Sequence, residues 1–315
     1  VATTRGTMSI IRRKLAEHLI SINDLTKEEI DDVLEVADYF KKHPNQNILQ
    51  GRILANCFYE ASTRTRLSFE TAMLRLGGNV IGFSEGDNTS MAKGESLADS
   101  LRVISEYGDI MVVRHPLEGA ALLASQVSKI PVINGGDGAN QHPTQTLLDL
   151  YTIKKIRGSL EGLHIAWMGD MKYGRAVHSL VKALIHYNAR MYFISPTELE
   201  LPKELCEEMK RNQVLFSFHP SLDKVIQHLD ILYMTRQQKE RVSHSSPYFT
   251  GGAYTIQPQD LELAKESFKI LHPLPRVQEI DRSIDPLPCA HYFEQSANGV
   301  PVRQAILSLM LGEAE

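Results

Sequence analysis

Short apolar runs alternate with amphipathic stretches along most of this chain. Ile53, Leu54, Ala55, Cys57 and Phe58 form one such run and predict a strand over about 52–58. Phe69, Ala72, Met73 and Leu76 then recur at i, i+3, i+4 and i+7, one face of a helix that Gly77-Gly78 ends. Upstream, Thr26-Lys27-Glu28-Glu29 is a capping box. Ile30, Val33, Leu34 and Ala37 continue it as a helix that should stop before Pro44. The same reading predicts strands over 79–83, 109–114 and 131–133, with helices over 95–107, 117–127 and 142–155. Residues 84–94 read as a polar loop and 134–141 as a glycine-rich turn. A second series opens with a strand over 163–168 and a helix over 174–187, with Val177, Leu180, Val181 and Leu184 on one face. Strands near 189–194, 214–218, 230–235 and 269–271 alternate with helices near 202–211, 221–228 and 258–266. Residues 236–252 form a long polar connection, and 306–311 a C-terminal helix.

This alternation predicts an α/β fold of two domains, each a parallel sheet flanked by helices. The pattern breaks around 157–162, where glycine and charge interrupt it. Composition adds bounds. The 315 residues suffice for two domains, and 43% hydrophobic with 23% charged residues suits a buried core. A net charge of −4 gives no sign of nucleic acid or a membrane surface as partner, and no apolar run could span a bilayer. Cys57, Cys206 and Cys289 are too sparse for a disulfide framework or a structural zinc site, so a reducing compartment, the cytoplasm, is expected. The start is polar and basic without a signal-peptide core, and 1–7, which precede Met8, read as a processing remnant.

In such folds ligands bind at the carboxyl ends of strands, so polar clusters there carry weight. Ser62-Thr63-Arg64-Thr65-Arg66 fills a turn into a helix. Unpaired N–H groups and the helix dipole favour an anion there, and the hydroxyls and a guanidinium fork add donors. Locally, a phosphate cradle and a capped helix with solvated arginines are even readings. Arg114-His115-Pro116 leaves the next strand; Arg114 could pair with a carboxylate or clamp an anion or carbonyl. In Asn140-Gln141-His142-Pro143-Thr144-Gln145, His142 alone reads as a helix cap, but Gln145 shares its face and the two can hold one ligand. Gly169 to Arg175 nearly matches a phosphate-binding loop, yet Arg175-Ala176 replaces its Lys-Ser/Thr, which argues against a nucleoside triphosphatase. Arg236 and Gln238 lie in a basic stretch that is either a solvated loop or an anion site. His272-Pro273-Leu274-Pro275-Arg276 holds an extended backbone whose carbonyls can meet an amino group. G-x-S-x-G and H-E-x-x-H are absent, and Gly136 and Gly138 lack the third glycine of a dinucleotide loop. Arginines and hydroxyls outnumber nucleophiles, which suits a substrate with its own leaving group. Two arginine groups, one per domain, suggest two anionic substrates.

Phe58-x-Glu60-x-Ser62-Thr63-Arg64-Thr65-Arg66, Lys93-Gly94-Glu95, Arg114-His115-Pro116, His142-Pro143-Thr144-Gln145, Gly169-Asp170 with Tyr173-Gly174-Arg175, and His272-Pro273-Leu274-Pro275-Arg276 follow one another as in the aspartate carbamoyltransferase family. The chain resembles that family's catalytic chains from about 21 to 311, most of all the bacterial ones that assemble with separate regulatory chains. The resemblance implies transfer of a carbamoyl group from carbamoyl phosphate to the α-amino group of L-aspartate, an early step of pyrimidine biosynthesis, with no metal and no cofactor. It implies a carbamoyl phosphate-binding domain of residues 1–149 with 291–315, and an aspartate-binding domain of 150–290. Carbamoyl phosphate would meet Ser62, Thr63, Arg64, Thr65, Ser90, Lys93, Arg114, His142 and Gln145. Of these, Arg64, Thr65, Lys93, Arg114 and His142 would be catalytic. Aspartate would meet Lys93, Arg175, Arg236, Gln238 and the carbonyls of Pro273 and Leu274. Ser90 and Lys93 would enter a neighbour's site, so a homotrimer is implied. Glu60 and Arg241 resemble residues that brace Arg175.

Three departures stand out. Ala176 replaces the family's usual threonine. The loop near Ser90 is one residue shorter than in some relatives, which makes Ser90 over Thr89 an alignment choice. The 242–252 segment diverges, with Ser246 at a usually acidic position. Ornithine carbamoyltransferases share the Ser-Thr-Arg-Thr-Arg cradle but typically carry His-Cys-Leu-Pro where this chain has His272-Pro273-Leu274-Pro275. A silent scaffold of the same fold is the non-enzyme alternative, against which the intact Arg64, Lys93, His142 and Arg236 speak.

Overall fold

The computed structural model describes residues 14–84, 93–236 and 255–312. These divide into two compact units. One runs up to Tyr151 and takes in the chain from Asn298 onward; the other is Thr152–Ala297.

The first unit begins with α1 (Lys27–Lys42). Its capping box is formed: Thr26 Oγ1 accepts from the Glu29 N–H at 3.2 Å, and Glu29 Oε2 accepts from the Thr26 N–H at 2.8 Å. Then follow β1 (Ile53–Phe58), α2 (Thr63–Arg75), β2 (Asn79–Ser84), α3 (Leu97–Ile104), β3 (Ile110–His115), α4 (Ala120–Val127), β4 (Val132–Asp137) and α5 (Pro143–Arg157). The strands form one parallel sheet, β2-β1-β3-β4. The apolar run of β1 is buried because both faces of this inner strand are covered. Burial pushes the Cys57 thiol up to about 12, so it is a packing residue.

The second unit continues with β5 (His164–Met168), α6 (Arg175–Leu184), β6 (Arg190–Ile194), α7 (Lys203–Arg211), β7 (Phe216–His219), β8 (Ile231–Met234), β9 (Lys269–Leu271) and α8 (Tyr292–Ala297). Its parallel sheet runs β7-β6-β5-β8-β9. Trp167 and Phe193 stack between adjacent strands at 5.2 Å. The chain then returns to the first unit as α9 (Gly299–Leu311), packed against α1 and α2.

The strand orders show where each sheet reverses direction. In the first sheet the chain steps from β1 outward to β2, then crosses to β3 on the other side. In the second it steps from β5 through β6 to β7, then crosses to β8. The reversals lie between β1 and β3 and between β5 and β8, where open α/β sheets leave a crevice at the strand ends. Arg114 sits at the first reversal beside the turn after β1; 169–175 and Arg236 follow the strands of the second.

The last helix starts at Gly299, seven residues before its expected start, and three further local expectations are revised. The glycine-rich stretch expected as a turn after 133 is strand through Asp137, because Gly135 lets β4 run close to β3: a Cβ there would lie 3.0 Å from Val112 Cγ1. The helix expected near 221–228 is two 3-10 turns, interrupted where Val225 takes φ −133°. That near 258–266 shortens to one 3-10 turn, Pro258–Leu261. The polar connection of 236–252 lies, from 237 on, outside the described residues, as do 1–13 and 85–92.

Candidate active site

In the first unit, Ser62 is the N-cap of α2 but its side chain makes no capping bond. The bland reading of this turn needed that bond. The Ser62 hydroxyl is left for another use, beside exposed Thr63 and Arg64 in the first turn of the helix. Thr65 is buried, and its Oγ1 lies 3.5 Å from His142 Nε2. That contact joins the cradle after β1 to the histidine that precedes α5, 77 residues away in the chain.

Arg114 enters from the end of β3. Its guanidinium donates to the Gly135 carbonyl at 3.2 Å and pairs with Glu60 at 3.1 Å. Glu60 thus anchors Arg114 within this unit. Gln145 is buried, and its Nε2 donates to Asp149 Oδ1 at 2.9 Å. Lys93 lies exposed shortly before α3, and among the described residues its ammonium has no hydrogen-bond or ion-pair partner.

A residue missed from the sequence holds these parts together. Asp137 is 1% exposed and accepts four hydrogen bonds. Oδ1 takes Asn134 Nδ2 at 2.8 Å and the Gln141 N–H at 3.2 Å. Oδ2 takes the Gly119 N–H at 2.9 Å and Asn140 Nδ2 at 3.1 Å. The Gly138 N–H donates to the His115 carbonyl at 3.0 Å. Together these bonds fix the loop that leaves Arg114 against the loop that delivers His142. A buried carboxylate is tolerated because every lobe is used. His115 supports the same loop by accepting the Leu117 N–H on Nδ1 at 3.0 Å. Burial lowers its pKa against the pull of Glu60 and Asp137, which favours the neutral ring that can accept. A lone aspartate among glycines at a strand end was the available signal.

In the second unit, Gly169 takes φ +123°, where a Cβ would lie 2.3 Å from the Thr235 carbonyl oxygen. This close approach brings the ends of β5 and β8 together. Thr235 Oγ1 accepts the Asp170 N–H at 2.9 Å. Buried Asp170 turns the loop by accepting the Lys172 and Tyr173 N–H groups on Oδ1 at 3.1 and 3.0 Å. The turn delivers half-buried Arg175 as the first residue of α6, while half-buried Arg236 leaves β8 just after Thr235.

Leu274 lies beyond β9 in the left-handed region, φ +56°. Its N–H donates to His272 Nδ1 at 2.8 Å, which leaves the proton on Nε2 to donate to Glu279 Oε1 at 2.8 Å. Glu279 Oε2 accepts the Val277 and Gln278 N–H groups at 3.0 and 2.9 Å. Burial pushes the Glu279 carboxyl up, but these donors prevail and hold it at about 2. The loop bearing Pro273 and Leu274 is therefore closed on itself. Ser90, Gln238 and Arg241 lie outside the described residues. Among the described residues, no group of His, Cys, Asp and Glu could hold a metal ion, and no helix is long and apolar enough to cross a membrane.

Two family profiles match nearly the whole chain. Residues 17–155 match the carbamoyl-P binding domain of aspartate/ornithine carbamoyltransferase, and 161–310 its Asp/Orn binding domain. The aspartate carbamoyltransferase catalytic subunit of Chromobacterium violaceum is 52% identical over 297 residues, 94% of this chain and 98% of the relative. The catalytic subunit of M. jannaschii aspartate transcarbamoylase superposes with a TM-score of 0.87 at 52% identity, covering 94% of this chain and 98% of that one. Aspartate transcarbamoylase of Trypanosoma cruzi, solved with N-(phosphonacetyl)-L-aspartic acid, superposes with a TM-score of 0.90 at 36% identity, covering 95% and 97%. The same T. cruzi protein has been solved with carbamoyl phosphate and aspartate, and with carbamoyl aspartate and phosphate. Profile, sequence and fold agree, and the chain belongs to the aspartate/ornithine carbamoyltransferase family, alongside its aspartate carbamoyltransferase catalytic subunits.

Proposed function

We propose that this chain transfers the carbamoyl group of carbamoyl phosphate to the α-amino group of L-aspartate, giving N-carbamoyl-L-aspartate and phosphate. The observation that carries the reading is the meeting of Thr65 with His142 beside the β1/β3 reversal, where Arg114 also emerges. Ser62, Thr63, Arg64 and the first turn of α2 hold the phosphate. Arg114, His142 and Thr65 polarise the carbonyl, with Gln145 completing that wall. The amine lone pair attacks the carbonyl carbon, and the negative charge grows on oxygen among fixed donors. The C–O bond to phosphate then breaks, and phosphate carries away the amine proton, so no strong protein base is required.

In the second domain Arg175, Arg236 and Gln238 take the two aspartate carboxylates, and the carbonyls of Pro273 and Leu274 take the amino group. Ser90 and Lys93 act in a neighbour's site. Two features fit a homotrimer: the exposed ammonium of Lys93, and the exposed apolar side chains of Leu67 and Leu74 on α2 and Ile81 on the edge strand β2. We place the enzyme in the cytoplasm, in pyrimidine biosynthesis, within an allosteric assembly containing regulatory chains. A direct assay with carbamoyl phosphate and each amino acid tests the reaction. Turnover of aspartate and not ornithine is expected; the reverse would overturn the substrate assignment.

A further inference from the structure

A buried arginine lies behind the candidate carbamoyl phosphate site. Arg303, on α9, is 3% exposed. Its guanidinium lies over the Phe69 ring of α2, 4.9 Å from the centroid. Nη2 donates to Thr144 Oγ1 of α5 at 3.3 Å, and Nε is buried without a hydrogen-bond partner among the described residues. Burial lowers its proton affinity, and the charge of Asp149 opposes that. Asp149 is fully buried on α5 and accepts Gln145 Nε2 at 2.9 Å.

Gly299 makes the room. A Cβ at that position would lie 2.4 Å from Arg303 Nη1. The guanidinium therefore lies along the start of its own helix and touches two others. The first turn of α2 carries the cradle; the first turn of α5 carries Gln145 and follows His142.

Folding alone gives little reason for this choice. A buried guanidinium loses its hydration, and an apolar side chain of similar volume often serves stability as well or better. What the charge adds is direction. Thr144, next to Gln145 in the chain, accepts from Arg303, and Asp149, one helical turn on, accepts from Gln145 itself.

We propose that Arg303, with Asp149, is a positioning residue for carbamoyl phosphate: it sets the His142–Gln145 turn against the Thr65 turn. The proposal rests on the reading of that cradle as the carbamoyl phosphate site. It makes Gly299 a second requirement, because only a residue without a Cβ leaves the guanidinium in place.

The test compares Arg303→Met, Arg303→Lys and Gly299→Ala in the full chain. Steady-state KM for each substrate, kcat, thermal midpoint, and calorimetric binding of inorganic phosphate are measured. We expect Arg303→Met to keep its thermal midpoint while KM for carbamoyl phosphate and the Kd for phosphate rise about tenfold, aspartate KM moving less. Arg303→Lys should recover part of that loss, and Gly299→Ala should shift the same constant in the same direction. If Arg303→Met does not fold, Gly299→Ala decides. A fall in thermal midpoint with carbamoyl phosphate KM within about twofold of the parent in every folded variant makes the residue merely structural and overturns the proposal. Arg64→Ala separates the two layers. If it binds phosphate like the parent, the underlying site reading fails. If it loses phosphate while Arg303→Met and Gly299→Ala retain it, only the positioning role fails.

Discussion

At the β1/β3 reversal the supporting atoms are mostly side chains; at the β5/β8 reversal and the loop after β9 they are mostly main-chain amides. Asp137 draws on Asn134 and Asn140 as well as two amides, Gln145 leans on Asp149, and Thr65 meets His142. Asp170, His272 and Glu279 instead gather the N–H groups of 172, 173, 274, 277 and 278. The first device fixes the donor groups themselves. The second fixes only the turns from which half-buried Arg175 and Arg236 depart. A group whose charge develops during reaction needs donors that do not have to reorganise. A co-substrate held by its carboxylates can be met by long guanidinium forks on shaped turns. In the proposed reaction, the contrast puts chemistry at the first reversal and recognition at the second.

The largest expected effect breaks the contrast most directly. Arg64→Ala should lower kcat/KM by about 10³-fold or more and abolish phosphate binding in calorimetry. Arg175→Ala should instead raise aspartate KM by about 10²-fold, with phosphate binding retained. Equal loss of phosphate binding in both variants would erase the division of labour. Next comes complementation. Lys93→Ala and Arg64→Ala chains, each nearly inactive, should regain activity when dissociated and mixed, since one hybrid interface unites two intact residues. No recovery in a mixed trimer verified by mass would remove Lys93 from a shared site.

The fold was legible because β1, β3 and β5 are compact apolar runs, and because the parallel-sheet rule makes their ends informative. The short motifs at those ends were legible for the same reason. Asp137, Asp149 and Arg303 were not. Their roles depend on partners from other elements, such as Gly119 for Asp137 and Phe69 for Arg303, which no periodicity reports. Starting the last helix at 306 also placed Arg303 outside it, although an arginine inside the run from Gly299 is a signal of a buried charge. The helix expected near 221–228 failed for a local reason: Val225 leaves the helical region between two single turns.

A smaller effect tests the amide-keyed loop through acid. Glu279 is held at about 2 in the folded chain against an ordinary 4.5. A depressed folded pKa gives stability that is fully present above the unfolded value and is lost as pH falls through the folded one. The second unit should therefore weaken progressively from about pH 4.5 toward pH 2. Glu279→Gln removes the titration, so its urea midpoint should be lower at pH 7 and flatter with acid than the parent's. Parallel acid limbs for the two proteins would show that Glu279 does not key the loop.

The smallest expected effect concerns Ala176, where the resemblance to the family places a threonine. The position is the second residue of α6, next to Arg175 and half-buried. Ala176→Thr adds one hydroxyl there and costs the helix up to about 0.7 kcal/mol in intrinsic propensity. A new hydrogen bond contributes about 1 kcal/mol net, enough to lower aspartate KM about fivefold. Carbamoyl phosphate KM should not move, because the substitution lies in the unit to which the proposed function gives the co-substrate. Steady-state kinetics against each substrate read this directly. An unchanged aspartate KM would mean that the two guanidiniums already saturate recognition at this turn. A lowered carbamoyl phosphate KM would count against treating the two reversals as separate devices.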